Sequence, residues 1–255
     1  MSPNPEDPGS TARGIIRAVH AGPVRSLRSA REPGGAVTRW RSAILKEAIT
    51  APVYVRRLGL DGDAQKETRH HGGPDKAVLL YAAGHYDLWA THLRAHATLH
   101  AAALGTMSTE CDARRFGFGA FGENLTVEGL DEASVYLGDV WAIGDCELRV
   151  TEPRGPCATL ARRWMRPSLI DEVRATAAAG WYNAVVREGA VSEGDAVRLC
   201  SRVQQEWSVA RVFHLLEGRV VSRADVSALR DAPFIHEALR SRLARRAMTP
   251  SRVRD

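Results

Sequence analysis

The stretch Thr151-Glu152-Pro153-Arg154-Gly155-Pro156-Cys157 follows a strand-like run and opens a helix-like one, and the remainder of the chain is laid out around it. Gly155 and Pro156 are turn formers, so Cys157 is delivered where extended chain gives way to helix. Arg154 stands three residues before it, and Arg162 and Arg163 follow shortly after; this is the local charge that favours a thiolate. A thiolate in that position is able to attack an electrophile or to ligate a soft metal. The plain alternative is a small apolar side chain at a strand end, the usual condition of a free cysteine.

Composition bounds what surrounds this junction. A chain of 255 residues that is 44% hydrophobic can bury a sizeable core, as one large domain or as one domain with a small partner. No apolar run approaches the roughly 18 residues of a membrane span, and the N-terminus lacks the basic-then-apolar order of a secretory signal, so a cytoplasmic location is expected. Cys111, Cys146, Cys157 and Cys200 lie far apart without a C-x-x-C pair; reduced thiols are expected, with neither a zinc ribbon nor a disulfide framework. The formal charge is +5, from 35 basic and 30 acidic residues, and the charges are interspersed, so nucleic-acid binding is not implied. Lysine occurs only at Lys46, Lys66 and Lys76. Arginine suits bidentate binding of phosphate and lysine acts as a point charge, a chemistry that fits an anionic ligand.

Upstream of the junction, residues 1–13 hold three prolines and almost nothing large and apolar, the composition of a disordered tail. Strand patterns follow at Gly14–His20, Trp40–Lys46 and Pro52–Val55, separated by turn residues. Asp61-Gly62-Asp63 carries two carboxylates but lacks the spaced ligands of a calcium loop. His70-His71-Gly72-Gly73-Pro74-Asp75-Lys76 is a polar loop feeding an apolar strand; its glycines let backbone N–H groups approach a ligand, and by itself it also reads as an ordinary turn. Residues 86–104 have helical periodicity, and His92, His96 and His100 share one face without the carboxylate or cysteine a metal site would add. The Gly-rich, aromatic run Phe116–Gly122 turns into a strand at Leu125.

Leu137-Gly138-Asp139 and Glu193-Gly194-Asp195 both place Gly-Asp before an alternating strand, as corners of one barrel-like sheet. Downstream of Cys157 a short helix runs to Met165, a second begins at Pro167 and is ended by Gly180, and Trp181–Val186 returns to strand. From Trp207 the pattern changes to three short amphipathic helices. Ser208 and Ser222 stand at N-cap positions, and Ile235, Leu239, Leu243 and Ala247 repeat every four residues. The trio reads as a packing module; as a helix-turn-helix reader it would present Arg240, Arg242, Arg245 and Arg246 to phosphates. Residues 249–255 are a frayed tail.

Taken together, Arg41-Ser42-Ala43-Ile44-Leu45-Lys46, Gly59-Leu60-x-Gly62-Asp63, His71-Gly72-Gly73-Pro74-Asp75-Lys76-Ala77-Val78, Phe121-Gly122-Glu123-Asn124-Leu125, Gly138-Asp139 and Pro153-Arg154-x-Pro156-Cys157 resemble, in content and order, the MOSC family, named for the C-terminal domain of molybdenum cofactor sulfurase. The resemblance runs from about Gly14 to Met248, and the terminal helices are similar to the module of the bacterial subgroup related to the 6-N-hydroxylaminopurine resistance protein. It implies an α+β, mainly β fold: a MOSC-type β-barrel over 14–206 with flanking helices, and a three-helix module over 207–248. It implies a pocket for molybdenum cofactor, with Cys157 as molybdenum ligand or sulfur-bearing residue. Ser42, Lys46, His71, Gly72, Gly73, Lys76, Asn124 and Arg154 would line that pocket.

The implied activity is reduction of N-hydroxylated small molecules, such as base analogues and amidoximes, with electrons from a separate reductase. The chain has no iron–sulfur or flavin fingerprint of its own. Two other readings stay open: a sulfur carrier or transferase with a persulfide on Cys157 and no cofactor, and a non-catalytic carrier of molybdenum cofactor. Exposed terminal helices also admit a homodimer.

Overall fold

The computed structural model describes residues 12–31, 34–66, 72–90, 93, 116–218 and 222–248. The tails expected at either end, His71, Cys111 and the three helical histidines lie wholly or mainly outside these residues. In chain order the strands are β1 (Ala12–Ala21), β2 (Arg25–Ser29), β3 (Thr38–Ser42), β4 (Glu47–Ala48), β5 (Val53–Arg56), β6 (Gly59–Leu60), β7 (Val78–Ala82), β8 (Leu125–Glu128), β9 (Val140–Ile143), β10 (Cys146–Pro153), β11 (Trp181–Arg187), β12 (Gly189–Val191) and β13 (Ala196–Ser201). The helices are α1 (Ala158–Arg163), α2 (Leu169–Thr176), α3 (Val209–Glu217), α4 (Arg223–Asp231) and α5 (Glu237–Met248). A further helix occupies 85–90, and a 3-10 turn covers Pro74–Lys76.

The strand order β13-β9-β10-β11-β7-β8-β1 closes on itself because β13 also pairs with β1, which makes a β-barrel. Closure leaves no free edge among these seven strands. Every neighbouring pair is antiparallel except β7 and β8. The Gly-Asp corners at Gly138 and Gly194 do precede neighbouring strands, β9 and β13, which pair with each other. Inside the barrel pack Ile16, Leu80, Leu125, Trp141, Leu148, Trp181 and Val197. Strand β7, Val-Leu-Leu-Tyr-Ala, is buried along its whole length. Its inward residues join the barrel core, while Tyr81 faces a second apolar layer with Tyr86, Trp89, Phe121, Leu160, Trp164 and Leu169. A strand covered on both faces reads as a continuous apolar run. Tyr81 stacks on Phe121 with ring centroids 4.5 Å apart.

Two of the boundaries that differ from the pattern reading have a visible cause. The strand expected over Trp40–Lys46 is Thr38–Ser42; Ser42 Oγ accepts the Ile44 N–H at 3.1 Å, which turns the chain out of the strand. Helix α2 ends not at Gly180 but at Ala177, in the left-handed region at φ 56°. The cause is distant in sequence: the buried Glu132 carboxylate accepts the N–H groups of Ala179 (3.1 Å) and Gly180 (2.6 Å).

Helices α3, α4 and α5 enclose a third core of Trp207, Val212, Leu215, Val226, Leu229, Leu239 and Leu243, against Leu137 of the barrel side. Ser208 and Ser222 cap α3 and α4 by accepting the N–H groups of Arg211 and Asp225. Three of the arginines of α5 are engaged internally. Arg240 donates to the Ala232 carbonyl at 3.1 Å and Arg246 to the Leu215 carbonyl at 3.3 Å. Arg242 pairs with Glu152 on β10 and lies 3.5 Å from Glu217. These contacts favour the packing reading of the trio over a phosphate-contacting face. Among the described residues, no helix is long and apolar enough to cross a membrane.

Glu152 joins the barrel to this helical trio. Its side chain is fully buried, with Lys76 at 3.1 Å, His236 at 3.4 Å and Arg242 as ion-pair partners. Burial acts to raise its carboxyl, but His236, Lys76 and Arg242 outweigh burial and hold it at about 2. A folded-state value below the ordinary 4.5 means the ionised form stabilises the fold above about pH 4.5, a contribution lost as pH falls toward 2. Removing one partner strands part of a buried charge. Arg242→Ala is therefore expected to cost about 3 kcal/mol at neutral pH, with the gap to the unsubstituted protein narrowing as pH falls through that window in urea unfolding.

Candidate functional site

Strand β10 ends at Pro153, and the Arg154 N–H donates to the Gly180 carbonyl at 3.0 Å, which keeps the chain tied to β11 one residue further. Gly155 and Pro156 then release it into α1. Cys157 is the N-cap of that helix, with extended backbone at φ −131° and ψ 149° and Sγ accepting the Leu160 N–H at 3.4 Å. Arg154 Nη2 stands 3.8 Å from the same sulfur. Burial works against the Arg154 charge, but Cys157 and Tyr182 favour it, and the guanidinium is held above its ordinary value. Burial pushes the Tyr182 phenol up to about 12, with the nearby Arg154 pulling the other way, so Tyr182 keeps its proton at neutral pH.

Cys157 opens on a cavity of about 240 Å³. Six of the residues expected there line it: Ser42, Lys46, Lys76, Asn124, Arg154 and Cys157. Gly72 and Gly73 do not; Gly73, at φ 90°, instead leads into the 3-10 turn that carries Lys76. His71 lies outside the described residues. The lining also includes Arg41, Asp63, Lys66, Phe121, Gly122 and Tyr182, which were not singled out as site residues. Arg41, Asp63, Phe121 and Gly122 fall inside the quoted motifs, so a signal for them existed. Tyr182 reaches the cavity because β10 and β11 pair with Glu152 opposite Tyr182, a register no local pattern announces.

Two of the expected cations carry internal counter-ions. Lys46 pairs with Asp63, both side chains almost wholly buried, and Lys76 pairs with Glu152. Burial lowers the Lys46 ammonium below its ordinary value in spite of Asp63. Asp63 also accepts the Gly22 N–H at 3.0 Å and the Asn124 amide at 3.0 Å. Asn124 accepts the Leu79 N–H at 3.1 Å and donates to the His20 carbonyl at 3.2 Å. Asp63, Lys46 and Asn124 thus form one wall, held by β7, β8 and the end of β1.

Among the described residues, no group of three or more His, Cys, Asp or Glu side chains is placed to hold a metal ion. A metal in this cavity would take Cys157 as its thiolate and its remaining donors from a ligand it arrives with.

Residues 67–198, about half of the chain, match the MOSC domain. The chain belongs to the MOSC family. It is 35% identical to YflK of Bacillus subtilis over 168 residues, 66% of this chain and 67% of that one. It is 30% identical to a protein named Reductase from Gibberella moniliformis over 210 residues, 82% of this chain but 33% of that protein. The crystal structure of YiiM from Geobacillus stearothermophilus shares the fold, with a TM-score of 0.68, 24% identity and coverage of 92% of this chain and 99% of that one. The MOSC barrel and its C-terminal helices are therefore common to both.

The wall makes a stability prediction. In Asp63→Ala, Lys46 and Asn124 lose a buried partner and the Gly22 N–H loses its acceptor, so urea unfolding should show a loss of about 3 kcal/mol; Asp63→Asn, which keeps an acceptor oxygen, should lose less.

Proposed function

We propose that this MOSC protein is a molybdenum-cofactor-dependent oxidoreductase that reduces N-hydroxylated small molecules, with electrons from a separate reductase. The observation that carries the reading is Cys157 Sγ opening on a cavity beside a buried, charged Arg154. The donor set fits the cofactor: a single thiolate suits a soft metal that brings its own sulfur ligands, and Arg41, Lys66 and Arg154 supply positive charge for a phosphate. The Gibberella protein named Reductase adds support, since the match to it covers 82% of this chain.

The bound cofactor would supply a metal able to change oxidation state. The chain's residues have separable tasks. Cys157 would hold the metal at the head of α1, where the Leu160 N–H and Arg154 fix the direction of Sγ. Phe121, Leu79 and Ile44 make the apolar part of the lining and limit water. Tyr182 holds a proton at Oη in the same cavity, and cleavage of an N–O bond consumes protons. Ser42 and Asn124 supply neutral hydrogen-bonding groups beside the Lys46–Asp63 pair.

Cys157→Ser isolates the sulfur from the fold, because serine is itself a good N-cap. The variant should melt within a degree or two of the unsubstituted protein, while reduction of an N-hydroxylated purine or amidoxime falls roughly a hundredfold or more. Retained turnover in the variant would remove Cys157 from the mechanism.

A further inference from the structure

Arg163 ends α1, the helix that Cys157 begins, and its side chain is buried. Its place in the sequence suggested a cation acting on the Cys157 thiolate, but the guanidinium is engaged elsewhere. Nη1 donates to the Ile44 carbonyl and to the Gly119 carbonyl, each at 2.9 Å. Among the described residues, the hydrogen-bond neighbours of Cys157 Sγ are Arg154 and the Leu160 N–H. We infer that Arg163, which stands outside the cavity lining, is a positioning residue: it sets the spacing between the helix that carries Cys157 and two loops of the cavity wall, and so selects by size the molecules that reach the sulfur. This role rests on the oxidoreductase reading only in taking Cys157 as the reacting group.

The two loops that Arg163 holds both furnish the wall. One supplies Ala43 and Ile44, the other Phe121 and Gly122. They meet closely: a Cβ on Gly122, at φ 77°, would stand 2.9 Å from Ile44 Cγ1. The Gly119 carbonyl that accepts from Arg163 also accepts the Gly122 N–H at 3.1 Å, so the guanidinium grips the second loop at the turn that presents Phe121 and Gly122. Within that loop the buried Glu123 carboxylate accepts the N–H groups of Gly119 at 2.7 Å and Phe121 at 3.0 Å. Glu123 thus fixes the shape of the loop, and Arg163 fixes its distance from α1. Cys157 itself packs against the apolar layer that contains Ile44 and Phe121.

A guanidinium presents several donors in one rigid plane, which lets a single side chain reach the carbonyls of two loops. Neutral carbonyls alone are poor partners for a buried charge. Burial pushes the Arg163 guanidinium down to about 10, with Glu123 and Tyr86 favouring the charge and Arg154 opposing it, so it remains charged at neutral pH. An apolar side chain would avoid that cost and would leave the Ile44 and Gly119 carbonyls without this donor.

The test needs neither cofactor nor turnover. Alkylation of Cys157 in the full chain is followed by peptide mass mapping for the unsubstituted protein, Arg163→Lys and Arg163→Met. Two uncharged reagents of one chemistry and different bulk, N-methylmaleimide and N-phenylmaleimide, are compared with their rates on free glutathione. The preference for the smaller reagent should fall about tenfold in Arg163→Met and by less in Arg163→Lys, whose ammonium keeps a donor for one carbonyl. The pH midpoint of alkylation should be the same in all three, because Arg163 acts by position; Arg154→Met, which removes the cation beside Sγ, should raise it. Arg163→Met should also melt lower, since two buried carbonyls lose a donor; if it is unfolded at the assay temperature, Arg163→Lys decides alone. An unchanged size preference in the folded variants overturns the inference and leaves Arg163 a structural residue only. A midpoint raised in Arg163→Met overturns it too, because Arg163 would then act on the thiolate by charge. Every arm reads the free thiol, so failure here leaves the oxidoreductase reading standing, and a chain without reductase activity would still give the predicted ratios.

Discussion

Glu152 keeps a full negative charge without solvent contact, two residues before Arg154, because Lys76, Arg242 and the His236 ring, from two other parts of the chain, converge on it. Lys76 comes from the 3-10 turn before β7; His236 stands just before α5 and Arg242 lies on it. Each contact ties a different segment to the end of β10. The strand therefore leaves the barrel at a fixed point, and the turn after it delivers Cys157 to the head of α1 in one orientation. A buried carboxylate is an expensive anchor unless all its partners are present, which makes the terminal helices part of the site's foundation although none of them lines the cavity.

The same economy of charge divides the cations around the cavity into two groups. Lys46 and Lys76 are answered from within, by Asp63 and Glu152, and hold walls together. Arg154 is held above its ordinary value in spite of its own burial, with Cys157 Sγ 3.8 Å away. Arg41 and Lys66 stand at the lip. Lysine and arginine counts alone suggested an anionic ligand; only the pairing shows which of those charges remain to meet one.

Much of this arrangement was legible in the residues. Turn formers around Cys157 marked the strand-to-helix junction, serines marked the starts of α3 and α4, and apolar alternation marked most of the barrel strands. These signals are local, and local chemistry determines them. The left-handed stop at Ala177 was not legible, because it is set by the Glu132 carboxylate accepting backbone N–H groups 47 and 48 residues away. Tyr182 was hidden for a similar reason, since it enters the cavity through strand register. Asp63 was quoted for its place in a motif, yet its role as counter-ion to Lys46 depends on a contact across 17 residues. Long-range pairing, more than propensity, separates the residues that were foreseen from those that were not.

The central claim is that this cavity holds molybdenum through Cys157. The most direct test is the molybdenum and pterin content of protein made in a cofactor-competent host and purified without oxygen. Near-stoichiometric metal and pterin are predicted. Protein that carries neither, with a persulfide on Cys157, would contradict the claim and leave sulfur transfer as the function of the site.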